Sequence, residues 1–146
     1  MSGGLAKEAT AAIEQFIVGA PFGKLLGIRC ERVEPDHVRL RLPFRPDVTT
    51  LGEMVHGGAI ASLVDVAATA AAWAHPAASL KARGTTVGFS LNFLAPGLGC
   101  DLVADARILQ RGRSLCVCDV NVEDDGANAV ARAMVTYKLS LPAPGA

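Results

Sequence analysis

The feature that most constrains the fold is one long apolar segment near the middle of the chain. From Val55 to His75 the sequence is VHGGAIASLVDVAATAAAWAH, in which Asp65 is the only carboxylate and Lys and Arg are absent. The segment is nearly long enough to cross a bilayer. However, Asp65 would then lie near mid-depth, at a cost of about 2.5–3.5 kcal/mol on insertion scales, without flanking Lys or Arg clusters. We therefore predict no membrane insertion, but a helix that other elements of the protein surround.

Alternation of apolar and polar residues on both sides of this segment predicts strands. Before the helix, residues 28–34 and 37–42 form a predicted hairpin with a turn at Pro35-Asp36. After it come four strand-like runs, which are RGTTVGFSLNFLAPG, CDLVADARILQRG, RSLCVCDVNVEDDG and ANAVARAMVTYKLSL. In the first run, the alternation predicts that Val87, Phe89, Leu91 and Phe93 share one face of a strand, with Thr86, Gly88, Ser90 and Asn92 on the other.

The predicted order is a helix, two strands, a long buried helix and four strands. Because the connections are short, they favour a single antiparallel sheet. We therefore predict an α+β fold in which an antiparallel sheet wraps around the long central helix. Residues 1–20 include an additional amphipathic helix, whose charged residues are not typical of a signal peptide, and residues 142–146 form a frayed tail.

Composition narrows the functional classes. A chain of 146 residues suits one domain with a substantial hydrophobic core. Lys and Arg together number 14, as do Asp and Glu, so that no basic excess points to nucleic acid as a partner. The four cysteines have no metal-ligand spacing, which predicts free thiols, no metal site and a reducing, cytoplasmic location.

The start of the long helix carries the sequence His56-Gly57-Gly58. The first N–H groups of a helix lack intrahelical acceptors and lie at the positive end of the helix dipole. Glycines there allow another molecule to approach the backbone closely. A bound carbonyl oxygen would therefore be polarised, and negative charge developing on it would be stabilised. The alternative is that these residues only make a tight turn into the helix.

Asp65 lies too far along the helix to act at this start. Eight residues separate it from Gly57, which corresponds to about 12 Å of rise and a rotation of about 80°. A general base or nucleophile must lie about 3 Å from the reacting atom. Asp65 could reach the helix start of a second copy if two helices ran antiparallel across a two-fold axis. The alternative is a structural carboxylate that is satisfied by a buried partner, with Ser62 and Thr69 in range.

The segments HGGAIASLVDVAATAA, TTVGFSLNFLAPG and ARILQRGRSLCVCDVNVEDDGANAVARAMVTYKL resemble the hotdog-fold acyl-CoA thioesterases of the PaaI (phenylacetate-pathway) type. The resemblance covers roughly residues 27–141. It implies a single hotdog thioesterase domain over residues 1–146, in which the sheet wraps the central helix. It also implies a homodimer formed through paired sheets, which often assembles further into a homotetramer.

The same resemblance implies roles for individual residues. Asp65 matches the catalytic carboxylate, acting as nucleophile or as base for water, and Gly57 matches the residue whose N–H polarises the thioester carbonyl. His56 matches a residue that orients the thioester, and Thr86 one that helps to place the attacking water. With these, the predicted substrate-binding and CoA-binding residues are Met54, Val55, Gly58, Phe89, Arg111, Gly112 and Arg113.

Two departures from the family pattern affect these roles. Thr50 stands where the family often has Asn, and Glu53 stands where it has Gly. Thr50 has a hydroxyl that is shorter than the amide of Asn, and it is a candidate site residue. Glu53 is interpreted as a solvated loop residue; the alternative is that it supplies a second carboxylate to the site. By strict alternation Thr86 faces away from Val87 and Phe89. If those two residues cover the helix, Thr86 reaches the site only through a bulge, as at Gly88, or at a subunit edge.

The predicted reaction is hydrolysis of an acyl-CoA to a free acid and CoA, with no metal and no cofactor other than the CoA of the substrate. Two rival functions are hydration of an enoyl-CoA and non-catalytic binding or sensing of acyl-CoA. The sequence does not determine the acyl preference, since the candidate pocket residues suit aromatic and aliphatic groups alike.

Overall fold

The computed structural model describes residues 5–143, in which a six-stranded antiparallel sheet curves around one long helix. The helices are α1 (Lys7–Ala12), which continues as a π-helical segment (Ile13–Val18), α2 (Pro21–Leu26), a 3-10 turn (Pro46–Val48) and α3 (Gly57–Trp73). The strands are β1 (Arg29–Glu34), β2 (His37–Leu42), β3 (Thr49–Leu51), β4 (Met54–Val55), β5 (Arg83–Phe93), β6 (Leu102–Arg111), β7 (Leu115–Glu123) and β8 (Ala129–Ser140).

The main sheet has the strand order β1-β2-β6-β7-β8-β5, and every neighbouring pair is antiparallel. Strands β3 and β4 form a separate two-stranded hairpin that leads into α3. The predicted α+β fold, with a sheet around a central helix and an N-terminal helix, is therefore confirmed. The strand β5 lies at an edge of the sheet, although it is eleven residues long.

The helix α3 packs against five strands of the sheet and against the π-helical segment. Its alanines at positions 67, 68, 70, 71 and 72 are fully buried, together with Leu63 and Val64. Because alanine side chains are short, the strands can approach this helix closely on several sides. No helix in residues 5–143 combines the length and the apolar character needed to cross a membrane.

The N-terminal region contains one more element than predicted. The predicted helix is present as α1 and its π-helical continuation, and Phe16 packs edge-on against Trp73 with ring centroids 6.4 Å apart. The short helix α2 was not predicted; Pro21 occupies its first turn, and Gly27 ends it with φ of 72°. Of the predicted frayed tail, residues 142 and 143 have no regular structure, and residues 144–146 lie outside the described part of the chain.

The outer face of the sheet carries a cluster of charged residues around Asp105. The imidazole of His37 lies 2.9 Å from the Asp105 carboxylate, and the guanidinium of Arg107 lies 3.1 Å from it. Arg39 approaches the same carboxylate at 3.5 Å. Burial opposes ionisation of Asp105, but His37 and Arg107 outweigh this effect and lower the pKa of the carboxyl group below its ordinary value.

The variant Asp105→Asn tests the contribution of this cluster to stability. Because the folded-state pKa is depressed, the contribution is full above the unfolded pKa and is lost as the pH falls through the folded pKa. We expect the variant to lower the free energy of unfolding at pH 7 by about 1–2 kcal/mol, and the deficit to shrink towards pH 3. Urea unfolding at both pH values measures this, and a deficit independent of pH would contradict it.

Candidate functional site

The start of α3 is held by backbone hydrogen bonds on both sides. The N–H of Val55 donates to the carbonyl of Gly97 (2.9 Å), and the N–H of His56 donates to the carbonyl of Val48 (2.7 Å). His56 is the N-cap residue, because its Nδ1 accepts from the N–H of Gly58 at 2.7 Å. Its side chain therefore uses one of the free N–H groups of the first helical turn.

The N–H of Gly57 is left without an acceptor among the residues that the structure describes. The N–H groups of Ala59 and Ile60, two and three residues after Gly57, both donate to the carbonyl of His56, at 2.9 and 3.1 Å. Since the N–H of Gly58 is bound to the His56 ring, the Gly57 amide is the donor that this turn offers to another molecule. The segment thus makes a tight, capped turn and also presents a free donor, so the two interpretations of the sequence are compatible.

Gly57 also lies at the side of an open, apolar pocket of about 510 Å³. A Cβ atom at Gly57 would lie 3.1 Å from the tip of the Phe93 ring, so the absence of a side chain keeps this contact close. The pocket is lined by Thr50, Met54, Val55, Gly57, Ile60, Phe93, Leu94, Ala95, Pro96 and Gly97. Thr50, a predicted catalytic residue, and the predicted substrate-binding residues Met54 and Val55 therefore line the same pocket as Gly57.

A second, smaller pocket of about 260 Å³ is lined by residues that include His56 and Gly58. Its lining mixes residues with polar side chains, such as Asp47 and Ser62, with apolar ones, such as Phe22. The hydroxyl of Ser62 donates to the carbonyl of Gly58 at 2.8 Å, which leaves its oxygen free to accept. The start of α3 is therefore flanked by two pockets, and only the smaller one has a carboxylate in its lining.

The carboxylate of Asp65 is held by Thr86, whose hydroxyl donates to Oδ1 at 2.6 Å. Thr86 reaches the helix because β5 bulges. Thr86 pairs with Tyr137, and Gly88 pairs with Thr136, the residue that precedes Tyr137 in β8. Val87, between them, has no partner in β8 and is therefore the extra residue of the bulge. Val87 is 60% exposed, and strict alternation along β5 fails at this bulge. Ser62, which was suggested as a partner of Asp65, donates to Gly58 instead.

A buried contact between two aromatic residues, Trp73 and Tyr137, lies near the Asp65–Thr86 pair. The indole N–H of Trp73 donates to the hydroxyl of Tyr137 at 2.9 Å, and Gly84 leaves the space that this hydroxyl occupies. Burial raises the pKa of Tyr137; the Trp73 hydrogen bond opposes this rise, whereas the nearby charge of Asp65 adds to it. The contact fixes the β8 residue that pairs with Thr86, and so supports the position of Thr86.

The arginines of the β6–β7 turn differ sharply in their surroundings. Arg111 donates to Asp36 at 2.7 and 3.1 Å, and to the carbonyl of Ala72, in the last turn of α3, at 3.1 Å. It also contacts Cys116, so its donors are used within the chain. Arg113 is exposed and has no ion-pair partner in the described part of the chain. Arg111 thus satisfies the end of α3, and Arg113 is the arginine free for a ligand.

Other predicted residues lie farther from the pocket. Gly112 closes the β6–β7 turn by donating to the carbonyl of Leu115 at 2.8 Å. Phe89 is exposed on β5 and is not part of the pocket lining. Glu53 is also exposed; its carboxylate lies beside Gly99, and it is not one of the lining residues. The sequence analysis missed Ile60 and residues 94–97, because Pro96-Gly97 signals only the end of a strand.

Comparisons with known proteins agree with this arrangement. The sequence profile of the Thioesterase superfamily matches residues 52–131, which is more than half of the chain. The chain belongs to the Thioesterase superfamily. Its fold is therefore the hotdog fold that the sequence resemblance implied, and its activity is that of a thioester hydrolase.

Individual relatives support the assignment of this thioesterase. A proposed esterase of Saccharolobus solfataricus is 30% identical over 112 residues, which cover 77% of this chain and 73% of that protein. The medium/long-chain acyl-CoA thioesterase YigI of Escherichia coli is 28% identical over 137 residues, covering 85% and 88%. The structure of the E. coli PaaI protein from the phenylacetic acid degradation operon is similar in fold, with a TM-score of 0.79, 20% identity, and coverage of 92% and 94%.

Matched substitutions of the two arginines test their different roles. A lysine cannot reproduce the several directed hydrogen bonds of a guanidinium group. We therefore expect Arg111→Lys to lower the free energy of unfolding by about 1–3 kcal/mol. The control Arg113→Lys, two residues away in the same turn, should change it by less than about 0.5 kcal/mol. Chemical denaturation measures both, and equal effects would contradict the structural role of Arg111.

Proposed function

We propose that this thioesterase hydrolyses acyl-CoA thioesters to a free acid and CoA. The observation that carries the proposal is the free N–H of Gly57, which lies at the start of α3 and beside an apolar pocket. A thioester carbonyl bound there would accept a hydrogen bond, which strengthens as negative charge develops on its oxygen. The name of YigI, an acyl-CoA thioesterase, gives independent support for the CoA part of the substrate.

In the proposed mechanism Asp65 acts on the thioester carbon, directly or through water. Because Thr86 donates to Oδ1, the carboxylate is held in one orientation and Oδ2 is available. Oδ2 would either attack the carbonyl carbon or accept a proton from a water molecule that attacks it. In the direct route the C–S bond breaks as a mixed anhydride forms with Asp65, and water then hydrolyses the anhydride to the free acid and the Asp65 carboxylate. In the water route the C–S bond breaks as the tetrahedral intermediate collapses to the free acid. The departing CoA thiolate takes up a proton, from solvent in the first route and from Asp65 in the second, and leaves as the thiol. Thr86 is thus proposed to position the carboxylate in addition to the water.

His56 is proposed to act from the other side of the thioester. A neutral imidazole that accepts at Nδ1 carries its proton at Nε2. This N–H is directed away from the cap and could donate to the thioester end of the substrate, as the family resemblance implies. Thr50 is proposed to lie beside the acyl group of the substrate, since it lines the apolar pocket. Exposed Arg113 is proposed to bind the phosphates of CoA.

The proposed active site combines two copies of the chain. Within one chain, eight residues of continuous α3 separate Gly57 from Asp65, a rise of about 12 Å. A water molecule or carboxylate oxygen at Asp65 therefore cannot reach a carbonyl bound at Gly57 of the same chain. A second copy with its α3 antiparallel would place its Asp65 beside Gly57, and the two-fold axis would create two such sites.

The strand β5 supplies the surface for this dimer. Among residues 5–143, only one of its edges is paired, with β8, and its exposed residues include Phe89 and Phe93. An exposed strand edge readily pairs with another strand. In the chain, Phe93 contacts Gly57 and Thr86 binds Asp65. Antiparallel pairing of two β5 strands, with Thr86 of one copy opposite Phe93 of the other, would bring the two half-sites together.

Three further expectations stay proposals. The reaction is proposed to need no metal and no cofactor other than the CoA of its substrate, since a carboxylate, an amide and water suffice for it. Assembly of dimers into a homotetramer rests on the family resemblance. A cytoplasmic location is supported by the free thiols of Cys30, Cys100, Cys116 and Cys118.

Substitution of Gly57 isolates the proposed role of its N–H. Gly57 is the first residue of α3, where proline is well tolerated and removes only a donor that the helix does not use. We expect Gly57→Pro to lower kcat about 100-fold in a thiol-release assay with acyl-CoA. The control Gly57→Ala introduces the same Cβ beside Phe93 but keeps the N–H, and should retain activity within about tenfold. Equal losses in both variants would contradict the proposal.

Mixed dimers test whether each site uses two chains. We expect Asp65→Asn alone to lower kcat by at least about 100-fold, because it removes the carboxylate but preserves the shape of the side chain. When Asp65→Asn and Gly57→Pro chains are refolded together, half of the dimers are mixed and each has one intact site. Activity should then return to about a quarter of the wild-type value. Absence of recovery, with mixed dimers shown by mass spectrometry, would place each site within one chain.

A further inference from the structure

The hydroxyl of Tyr137 accepts a hydrogen bond but has no acceptor for its own proton. Its oxygen accepts from the indole N–H of Trp73 at 2.9 Å, and no group among residues 5–143 accepts from it. Tyr137 is only 3% exposed. Because an unpaired buried donor is costly, such groups nearly always bond to protein or to ordered water. The O–H of Tyr137 therefore needs an acceptor from outside these residues, such as a bound water molecule.

The position of this hydroxyl is set by Gly84 in β5. A Cβ atom at Gly84 would overlap the hydroxyl oxygen, so glycine is the residue that lets the hydroxyl lie there. Tyr137 pairs with Thr86, and Gly84 lies two residues before Thr86 on the same face of β5. The Tyr137 side chain therefore extends from the level of Thr86 to that of Gly84, which is exposed on the edge strand.

The same face of β5 places the hydroxyl near Asp65. Two residues of a strand span about 6–7 Å, and the Thr86 side chain, which donates to Oδ1 of Asp65, is that far from Gly84. Burial raises the pKa of Tyr137 and the Trp73 hydrogen bond lowers it, while the nearby charge of Asp65 adds to the rise. One water molecule that makes two O–H···O bonds spans about 5.5 Å. A single water can therefore connect the Tyr137 hydroxyl with Oδ2 of Asp65.

These contacts give Tyr137 a role in the proposed reaction. We propose that Tyr137 positions the attacking water, because its O–H donates to the water oxygen while Oδ2 of Asp65 accepts one water proton. As the water oxygen bonds to the thioester carbon, that proton passes to Asp65 and the carbonyl oxygen takes the negative charge. Tyr137 keeps its own proton throughout. This role rests on the proposed function and selects the water route within it.

In the proposed dimer this water lies beside the second copy. With Thr86 opposite Phe93 of the second copy, antiparallel register would place Gly84 opposite Ala95 of that copy. Ala95 lines the apolar pocket that borders Gly57. The Tyr137 hydroxyl of one copy would therefore lie next to the pocket at which the other copy is proposed to bind the thioester. A water that attacks the carbonyl carbon has to occupy this place.

Two variants separate donation to water from support of the fold. Tyr137→Phe and Trp73→Phe each remove the hydrogen bond between these residues, but only Tyr137→Phe removes the phenol O–H. We expect Tyr137→Phe to lower kcat in the thiol-release assay about tenfold or more, with KM changed by less than about twofold. Trp73→Phe should lower kcat by no more than about threefold. Unchanged kcat in Tyr137→Phe, or equal losses in two folded variants, would overturn the proposal.

Fluorination of the phenol tests the same role with the packing almost unchanged. The chain contains one tyrosine, so expression with a difluorotyrosine replaces only Tyr137, and phenolate absorbance then reports its ionisation alone. Fluorine lowers the pKa of a phenol, and a phenolate cannot donate. We expect kcat of the fluorinated protein to fall, as the pH rises, in step with this ionisation. The wild-type protein should keep its kcat over that range, because burial raises the pKa of Tyr137.

The other titratable groups beside Tyr137 are the same in the fluorinated and wild-type proteins. They are Asp65 of α3 and Cys116 of β7. A difference between the two pH profiles therefore belongs to the phenol. A kcat that stays constant while the fluorinated phenol ionises would overturn the proposal.

The phenol titration also separates this proposal from the proposed function, since it does not depend on turnover. Asp65→Asn removes the charge that disfavours the phenolate, so the fluorinated Tyr137 should ionise at lower pH in this variant. Hydrolysis of acyl-CoA by the wild-type protein without such a shift would overturn the role of Tyr137 and leave the proposed function standing. The shift without any hydrolysis by the wild-type protein would overturn the proposed function and support the connection between Tyr137 and Asp65.

Discussion

The packing of an alanine-rich helix against a curved sheet is the constraint on which the rest of the structure depends. Buried alanines in α3 allow five strands to approach the helix, and a close-packed core opposes bending or shifting of the helix. Its two ends are fixed by side chains of different kinds, His56 at the first turn and Arg111 at the last. Gly57 and Asp65 thus lie on one continuous helix, and the distance between them is set by helical geometry.

That rigidity explains why the proposed site needs two copies of the chain. Gly57 and Asp65 cannot approach each other within one α3, whatever the loops around them do. The edge strand β5 contacts both residues, through Phe93 at one end and Thr86 at the other. One β5–β5 pairing would therefore both bury the exposed apolar residues of this strand and join the two half-sites. The same β5–β5 contact would therefore both stabilise the proposed dimer and form its active sites.

Sequence patterns predicted the main sheet and its helix because these elements are long and strongly periodic. The pattern failed at Val87, where strict alternation gives the wrong face, because a bulge depends on pairing with β8 and not on β5 alone. It also missed α2 and the β3–β4 hairpin, which are too short to show a period. Neighbouring Arg111 and Arg113 could not be distinguished, because only the folded chain brings Asp36 and the end of α3 to one of them.

The sequence by itself determined that α3 is buried, that its first turn has a free donor and that Asp65 lies too far away to use it. These properties follow from local composition and from the fixed rise of a helix. The tertiary structure decided which donor is free, since the His56 ring takes the N–H of Gly58 and leaves that of Gly57. It also decided that Thr86 holds Asp65 and that an apolar pocket borders Gly57. Each of these depends on contacts between residues distant in the chain or on one side-chain conformation, which no local pattern specifies.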